Sequence, residues 1–274
     1  MRYFQVTTLT RAMRALLGMI IAMSMVACAG PEEVDETVGW SAQKLYTEAK
    51  DDMASGRYAD AVKLLEKLVS RYPFGALAQQ AQIDIAFAHY RDGERALGLA
   101  AVDRFLKLHP DHEVVDYMYY LRGLINFSTH NSLLARIGGQ DLSERDLQAT
   151  RAAYDSFETV VRRFPSSRYA PDSILRMRYL LNAMAAGEIA VARFYFSRGA
   201  YLAAANRAKD VVREYQQVPA VEEALYIQMR AYEELGLPEL QAATKRVLEQ
   251  NFPASKDHEA ALNGEEKSWW KVWR

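Results

Sequence analysis

The side chains best able to do chemistry in this chain are one thiol and five imidazoles, and their spacing allows little of it. His89, His109, His112, His130 and His258 fall in no HExxH pair or other metal-ligand spacing. His109 and His112 flank Pro110, the setting of a solvated turn rather than of a zinc site. No GxSxG, Walker loop or GxGxxG occurs. Acidic residues are spread as on solvated helix faces. We therefore read the chain as not an enzyme, and expect no metal and no cofactor. Cys28 is the single cysteine, which rules out an internal disulfide and leaves alkylation as its chemistry.

What precedes Cys28 says where that chemistry happens. Arg2, Arg11 and Arg14 lead into an uncharged run from Ala15 to Ala27, the basic, apolar, small-residue order of a signal peptide over residues 1–27. Thirteen residues at about 1.5 Å each cannot cross a hydrocarbon layer of about 30 Å, so a permanent span is the weaker reading. Met25-Val26-Ala27-Cys28 resembles the bacterial lipobox, with Met25 where leucine is commonest. There the cysteine is lipidated and becomes the new N-terminus; the bland alternative is a small residue that merely ends the signal. Ala29 follows, where aspartate resembles an inner-membrane retention signal, so outer-membrane delivery is expected. Residues 28–40, acidic at Glu32, Glu33, Asp35 and Glu36, read as a lipidated cysteine on a flexible tether. Such a tether spans roughly 20 Å on average and holds the folded body near the membrane.

Cleavage before Cys28 leaves 247 residues and moves the formal charge from −1 to −4, with no basic stripe to bind nucleic acid. Half the residues are apolar, while Gly (14), Pro (8) and β-branched runs are sparse. That composition predicts an all-α chain.

The helices repeat. Pro73, Pro110, Pro165, Pro219 and Pro253 each follow an amphipathic stretch, at separations of 37, 55, 54 and 34. Two separations sit near the 34-residue period of a tetratricopeptide repeat, and two carry about twenty extra residues. Gly56, Gly93 and Gly236 each stand 17 residues before a proline. Glycine closes one helix and proline ends the next, so each unit is a helix, a tight turn and a helix. We expect a solenoid of about five such units, residues 41–128 forming an N-terminal part and 143–253 a C-terminal part. Residues 129–142, with Gly138-Gly139, read as a loop insertion. Asp172 to Arg198 reads as one long helix or two broken near Gly187; one is favoured.

In such arrays the first helix of each unit lines the inner groove. Aligning the small residues Ala49, Ala86 and Gly123 places Gln43, Tyr46, Lys50 and Met53 there, then Gln80, Ile83, Phe87, Tyr90 and Arg91, then Tyr117, Tyr120, Leu124 and Phe127. The candidate peptide groove is Tyr46, Lys50, Phe87, Tyr90, Arg91, Tyr117, Tyr120 and Phe127. Stacked rings beside two bases suit an aromatic-rich peptide and its carboxylate; the alternative is that individual rings pack between helices. The tail, 254–274, carries Trp269, Trp270 and Trp273. Tryptophans beside bases suit a partner's pocket or a membrane interface, or a fold back onto the last repeat.

Several segments resemble one family, the BamD (ComL-like) lipoproteins of the outer-membrane β-barrel assembly machinery. They are Arg71-Tyr72-Pro73-Phe74-Gly75 followed by Gln79-Gln80-Ala81-Gln82, then Asp103-Arg104-Phe105, then Asp116-Tyr117-Met118-Tyr119-Tyr120-Leu121-Arg122-Gly123-Leu124, and Arg198-Gly199-Ala200-Tyr201. The resemblance implies a lipid-anchored scaffold on the periplasmic face of the outer membrane. It implies binding to the periplasmic domains of BamA through the C-terminal repeats, contact with smaller lipoproteins, and recognition of the aromatic C-terminal signals of unfolded barrel proteins by the N-terminal repeats. Arg198, with Trp269, Trp270 and Trp273, is then the candidate partner-docking set. The runner-up is a tetratricopeptide lipoprotein coordinating peptidoglycan synthesis with envelope constriction.

Overall fold

A computed structural model describes residues 35–127 and 144–253. The signal peptide, Cys28, the insertion 129–142 and the tail with Trp269, Trp270 and Trp273 lie outside the described residues.

Within them the chain is helical throughout and pairs in sequence order. The first unit is α1 (Ala42–Ala54) and α2 (Tyr58–Arg71), the second α3 (Ala76–Asp92) and α4 (Arg95–Leu108), the third α5 (Val115–Phe127) and α6 (Glu144–Arg163). The fourth is α7 (Ala170–Ser197) and α8 (Tyr201–Glu214), the fifth α9 (Ala220–Glu234) and α10 (Pro238–Asn251). This is the expected all-α solenoid of five units. Gly187 interrupts nothing: α7 is one helix of 28 residues.

The same local chemistry recurs at each turn. Gly93 takes the left-handed backbone (φ 81°) at the end of α3, and the next residue's N–H returns to the His89 carbonyl at 2.9 Å. Outer helices end on a residue whose N–H still bonds the fourth residue back: Tyr72 to Leu68, His109 to Phe105, Phe164 to Val160, Tyr215 to Val211 and Phe252 to Leu248. The backbone then leaves the helix, because a proline follows directly or four residues on.

One helix pair cannot bury its apolar faces alone, so the units stack. Leu45, Leu65 and Leu68 close the first unit over the start of α3, while Val102, Phe105, Met118 and Leu121 join the second unit to the third. Phe157 and Leu180 join the third to the fourth, and the largest cluster runs from Met184 through Ala224 to Leu248. Close approach needs small residues. Ala49 and Ala86 are fully buried, and a Cβ on Gly123 would lie 2.5 Å from the Phe157 ring.

The outer helix of the fifth unit differs from those before it. Nine residues after the turn glycine, α2, α4 and α8 place the fully buried Leu65, Val102 and Ala208. At that position α10 carries exposed Lys245, which pairs with Glu249 at 3.9 Å. The outer helices α2, α4, α6 and α8 pack against inner helices on both sides, and α10 packs on α9.

The tether expected through residue 40 is corrected in its last part: from Asp35 onward the chain is docked. Asp35 is held by Lys67 (2.6 Å) and by Arg71, and Arg71 also donates to the Thr37 carbonyl at 2.6 Å. Trp40 packs on the first-unit core, and its carbonyl accepts from the Tyr72 hydroxyl at 2.9 Å. The bonds from Lys67 and Thr37 hold the Asp35 carboxyl well below the usual carboxylate range. Lys67, Arg71 and Tyr72 lie 32 and more residues from the groups they hold, so no local pattern announces them.

Candidate peptide groove

The inner helices α1, α3, α5 and α7 bring the predicted aromatic residues into one run, fixed by carboxylates reaching across unit boundaries. The hydroxyl of Tyr46 on α1 donates to Asp84 Oδ2 on α3 at 2.9 Å, and Lys50 Nζ donates to the same oxygen at 3.2 Å. Gln80 Nε2 donates to the other oxygen at 3.2 Å. Asp84 is only 6% exposed, a buried acceptor whose partners satisfy it. Two units on, the Tyr120 hydroxyl of α5 donates to Asp172 Oδ2 of α7 at 2.7 Å, and Arg176 holds the same oxygen.

Between these two anchors the rings touch. Tyr120 stacks on Tyr169 with centroids 4.7 Å apart, and Tyr117 lies 5.4 Å from Tyr169. Phe127 sits edge-on to Phe157 and to Tyr179, with Arg176 over its face at 5.0 Å. Phe87 and Tyr90 pair at 6.5 Å. The hydroxyls are correspondingly hard to ionise. Burial first, then the Asp172 carboxylate, pushes Tyr120 up to about 12. Tyr46 is raised by burial and by Asp84; Tyr117 by burial and by its neighbours Tyr169, Asp84 and Tyr90. For Asp172, burial opposes the charge and is outweighed by the bonds from Arg176 and Tyr120, leaving it below its ordinary range. An open pocket of about 620 Å³ is lined by Tyr117 and Tyr169 together with Glu113, Asp116, Arg163 and Arg168 among others.

The structure sorts the predicted residues. Tyr46, Phe87, Tyr90, Tyr117, Tyr120 and Phe127 are all half-buried and packed against the core between helices, while Arg91 is exposed. Met53 and Ile83 do not face the groove; they are 8% and 5% exposed and belong to the core. The two bases differ in kind. Lys50 is committed to Asp84, whereas the Arg91 guanidinium lies over the rings of Tyr58 (5.1 Å) and Phe87 (5.8 Å) with no carboxylate partner among the described residues. Sequence reasoning passed over Asp84, Tyr169, Asp172, Arg176 and Tyr179. The Asp172/Arg176 pair at i, i+4 on the fourth inner helix was the readable signal for the last group. Arg198 caps α7 at the α7–α8 turn, exposed, with its guanidinium 5.3 Å from the Phe194 ring. Val191, Phe194 and Leu202 near it are exposed as well.

Among the described residues no cluster of His, Cys, Asp or Glu has the arrangement to hold a metal ion, and no helix is long and apolar enough to cross a membrane. The described residues form a stacked helical array whose inner helices carry a fixed run of aromatic rings. Residues 40–248 match the YfiO family, described as an outer membrane lipoprotein, and the chain belongs to that family. Its relatives include proteins named outer membrane protein assembly factor BamD. Those from Neisseria meningitidis serogroup A and Neisseria gonorrhoeae are each 45% identical over 264 residues, covering 95% of this chain and 99% of theirs. That from Vibrio cholerae is 35% identical over 238 residues, 87% of this chain and 98% of its own.

Proposed function

We propose that this chain is an assembly factor for outer-membrane β-barrel proteins, acting as a lipid-anchored scaffold on the periplasmic face. Its near full-length likeness to proteins named for outer-membrane protein assembly supports that role. The groove from Tyr46 to Phe127 receives the aromatic C-terminal segments of unfolded barrel proteins. The observation that carries this reading is Arg91, a guanidinium laid over Tyr58 and Phe87 and without a carboxylate partner among the described residues. A peptide that brings a terminal carboxylate supplies the missing partner while its rings pack on Phe87 and Tyr90. Tyr46 and Tyr120, tied to Asp84 and Asp172, keep the walls in place, so little ordering is needed on binding.

The C-terminal units carry the partner side. Arg198 and its exposed apolar neighbours Val191, Phe194 and Leu202 dock the periplasmic domains of BamA, with Trp269, Trp270 and Trp273 of the tail contributing to the same interface or to smaller lipoprotein partners. Cys28 is the acylated anchor. A pull-down with the acylated full chain from detergent-solubilised outer membranes tests the assignment. BamA is expected to co-purify with the parent chain and to be lost with Arg198→Glu. Recovery of peptidoglycan synthases in its place would overturn it in favour of a role in envelope constriction.

A further inference from the structure

The two most exposed large apolar side chains among the described residues sit at one end of the array. Phe74 is 91% exposed and Val38 76%, with Tyr72 at 40% between their two segments. Those segments are clamped together. Arg71 donates to the Thr37 carbonyl and to Thr37 Oγ1 (3.0 Å), and the Tyr72 hydroxyl donates to the Trp40 carbonyl. Trp40 in turn is packed on the first-unit core. The result is a rigid apolar tip with nothing of its own chain covering it among the described residues.

The equivalent turns of the array show that an apolar residue here is a choice of this unit and not of the fold. The residue after the turn proline is Phe74 in the first unit, Asp111 in the second and Ser166 in the third. In the fourth unit it is Ala220, which is buried; of these four turns only the first, the one nearest Cys28 in sequence, places a large exposed apolar side chain there. Asp35, the first pinned residue, follows Cys28 by seven positions. At about 3.5 Å per extended residue, the clamp lies within roughly 25 Å of that cysteine.

We infer that this tip, Val38, Tyr72, Pro73 and Phe74, rests on the lipid surface that holds the Cys28 acyl chains; the inference builds on the proposed acylation. Aromatic side chains with an apolar body are favoured at the boundary between headgroups and acyl chains. Lys44, whose ammonium lies 4.0 Å from the Trp40 ring centre, adds a cation beside the same edge for lipid phosphates. Contact through a clamped tip does more than a flexible anchor does. It fixes the first unit against the membrane, so that the aromatic groove starts at the lipid surface and runs from α1 toward α7 away from it.

The test uses the acylated full chain in vesicles of phosphatidylethanolamine and phosphatidylglycerol that contain doxyl-labelled lipid. Phe74→Cys and, as a reference on α8, Leu202→Cys each provide one free thiol for an NBD fluorophore, because acylation blocks Cys28. Fluorescence is expected to be quenched severalfold more at position 74 than at 202. Equal quenching at the two positions, in protein that floats with the vesicles, would overturn the tip while leaving the anchor intact. Labelling of Cys28 in the parent chain, or failure of the parent to float, would overturn the acylation and the tip together.

Discussion

At the scale of single residues, two carboxylates do what the aromatic residues alone cannot. Asp84 and Asp172 each take a tyrosine hydroxyl from the preceding unit, turning rings on separate helices into one fixed surface. Asp84→Ala leaves Tyr46, Lys50 and Gln80 without their acceptor. It is expected to destabilise the fold by about 1–3 kcal/mol in chemical denaturation, with Asp84→Asn losing less because an oxygen acceptor remains. The tyrosines give a second expectation. A phenol that ionises near 10 in the unfolded chain and near 12 at Tyr120 in the folded one makes the native state bind more protons over that interval. Its contribution to stability is therefore complete below pH 10 and is lost as the pH rises through about 12. Alkaline titration followed by tyrosinate absorbance should show Tyr46, Tyr117 and Tyr120 ionising last, and Tyr120→Phe should remove one late step. The rings of this surface were legible from their helical positions. Asp172 was marked only by Arg176 four residues on, and Asp84 was not legible, since a lone acidic residue on a helix reads as solvated until the hydroxyl it meets, 38 residues away, is placed beside it.

At the scale of elements, glycine and proline punctuation was enough to find the units, because turns are decided by backbone conformations available to few residues. The same residue type has opposite meanings inside two helices. Gly123 lets α5 approach Phe157, whereas a Cβ on Gly187, within α7, meets nothing within 4 Å. Gly123→Ala should therefore cost about 1–3 kcal/mol by overpacking, and Gly187→Ala should stabilise by roughly 0.5–1 kcal/mol, both read by thermal or chemical unfolding. Between α7 and α9, Arg193 donates to Glu223, whose side chain is 3% exposed. Removing one partner strands a buried charge, so Arg193→Met should be strongly destabilising, on the order of 3–5 kcal/mol. What escaped sequence reading at this scale was the docking of residues 35–40. It depends on Lys67 and Arg71, which are far along the chain and indistinguishable there from ordinary surface bases.

At the scale of the whole molecule, the proposed function divides the array along its length: an N-terminal groove for client segments and a C-terminal side for partners. Among the described residues the fifth unit differs in its outer face, where Lys245, paired with Glu249, stands at the position that is apolar and buried in α2, α4 and α8. Deleting Ser268 to Arg274 is expected to weaken partner or liposome binding more than it lowers thermal stability; the opposite ranking would make the tail a cap on the last repeat. The groove claim is tested most directly by titrating a peptide with an aromatic C-terminus, once with a free carboxylate and once amidated, against the parent chain and Arg91→Ala. Pairing of the carboxylate with Arg91 predicts a loss of affinity of about tenfold or more on amidation. It predicts a similar loss for Arg91→Ala with the free peptide, and no further loss when both changes are combined. Losses that multiply independently, or an affinity indifferent to both changes, would contradict the account.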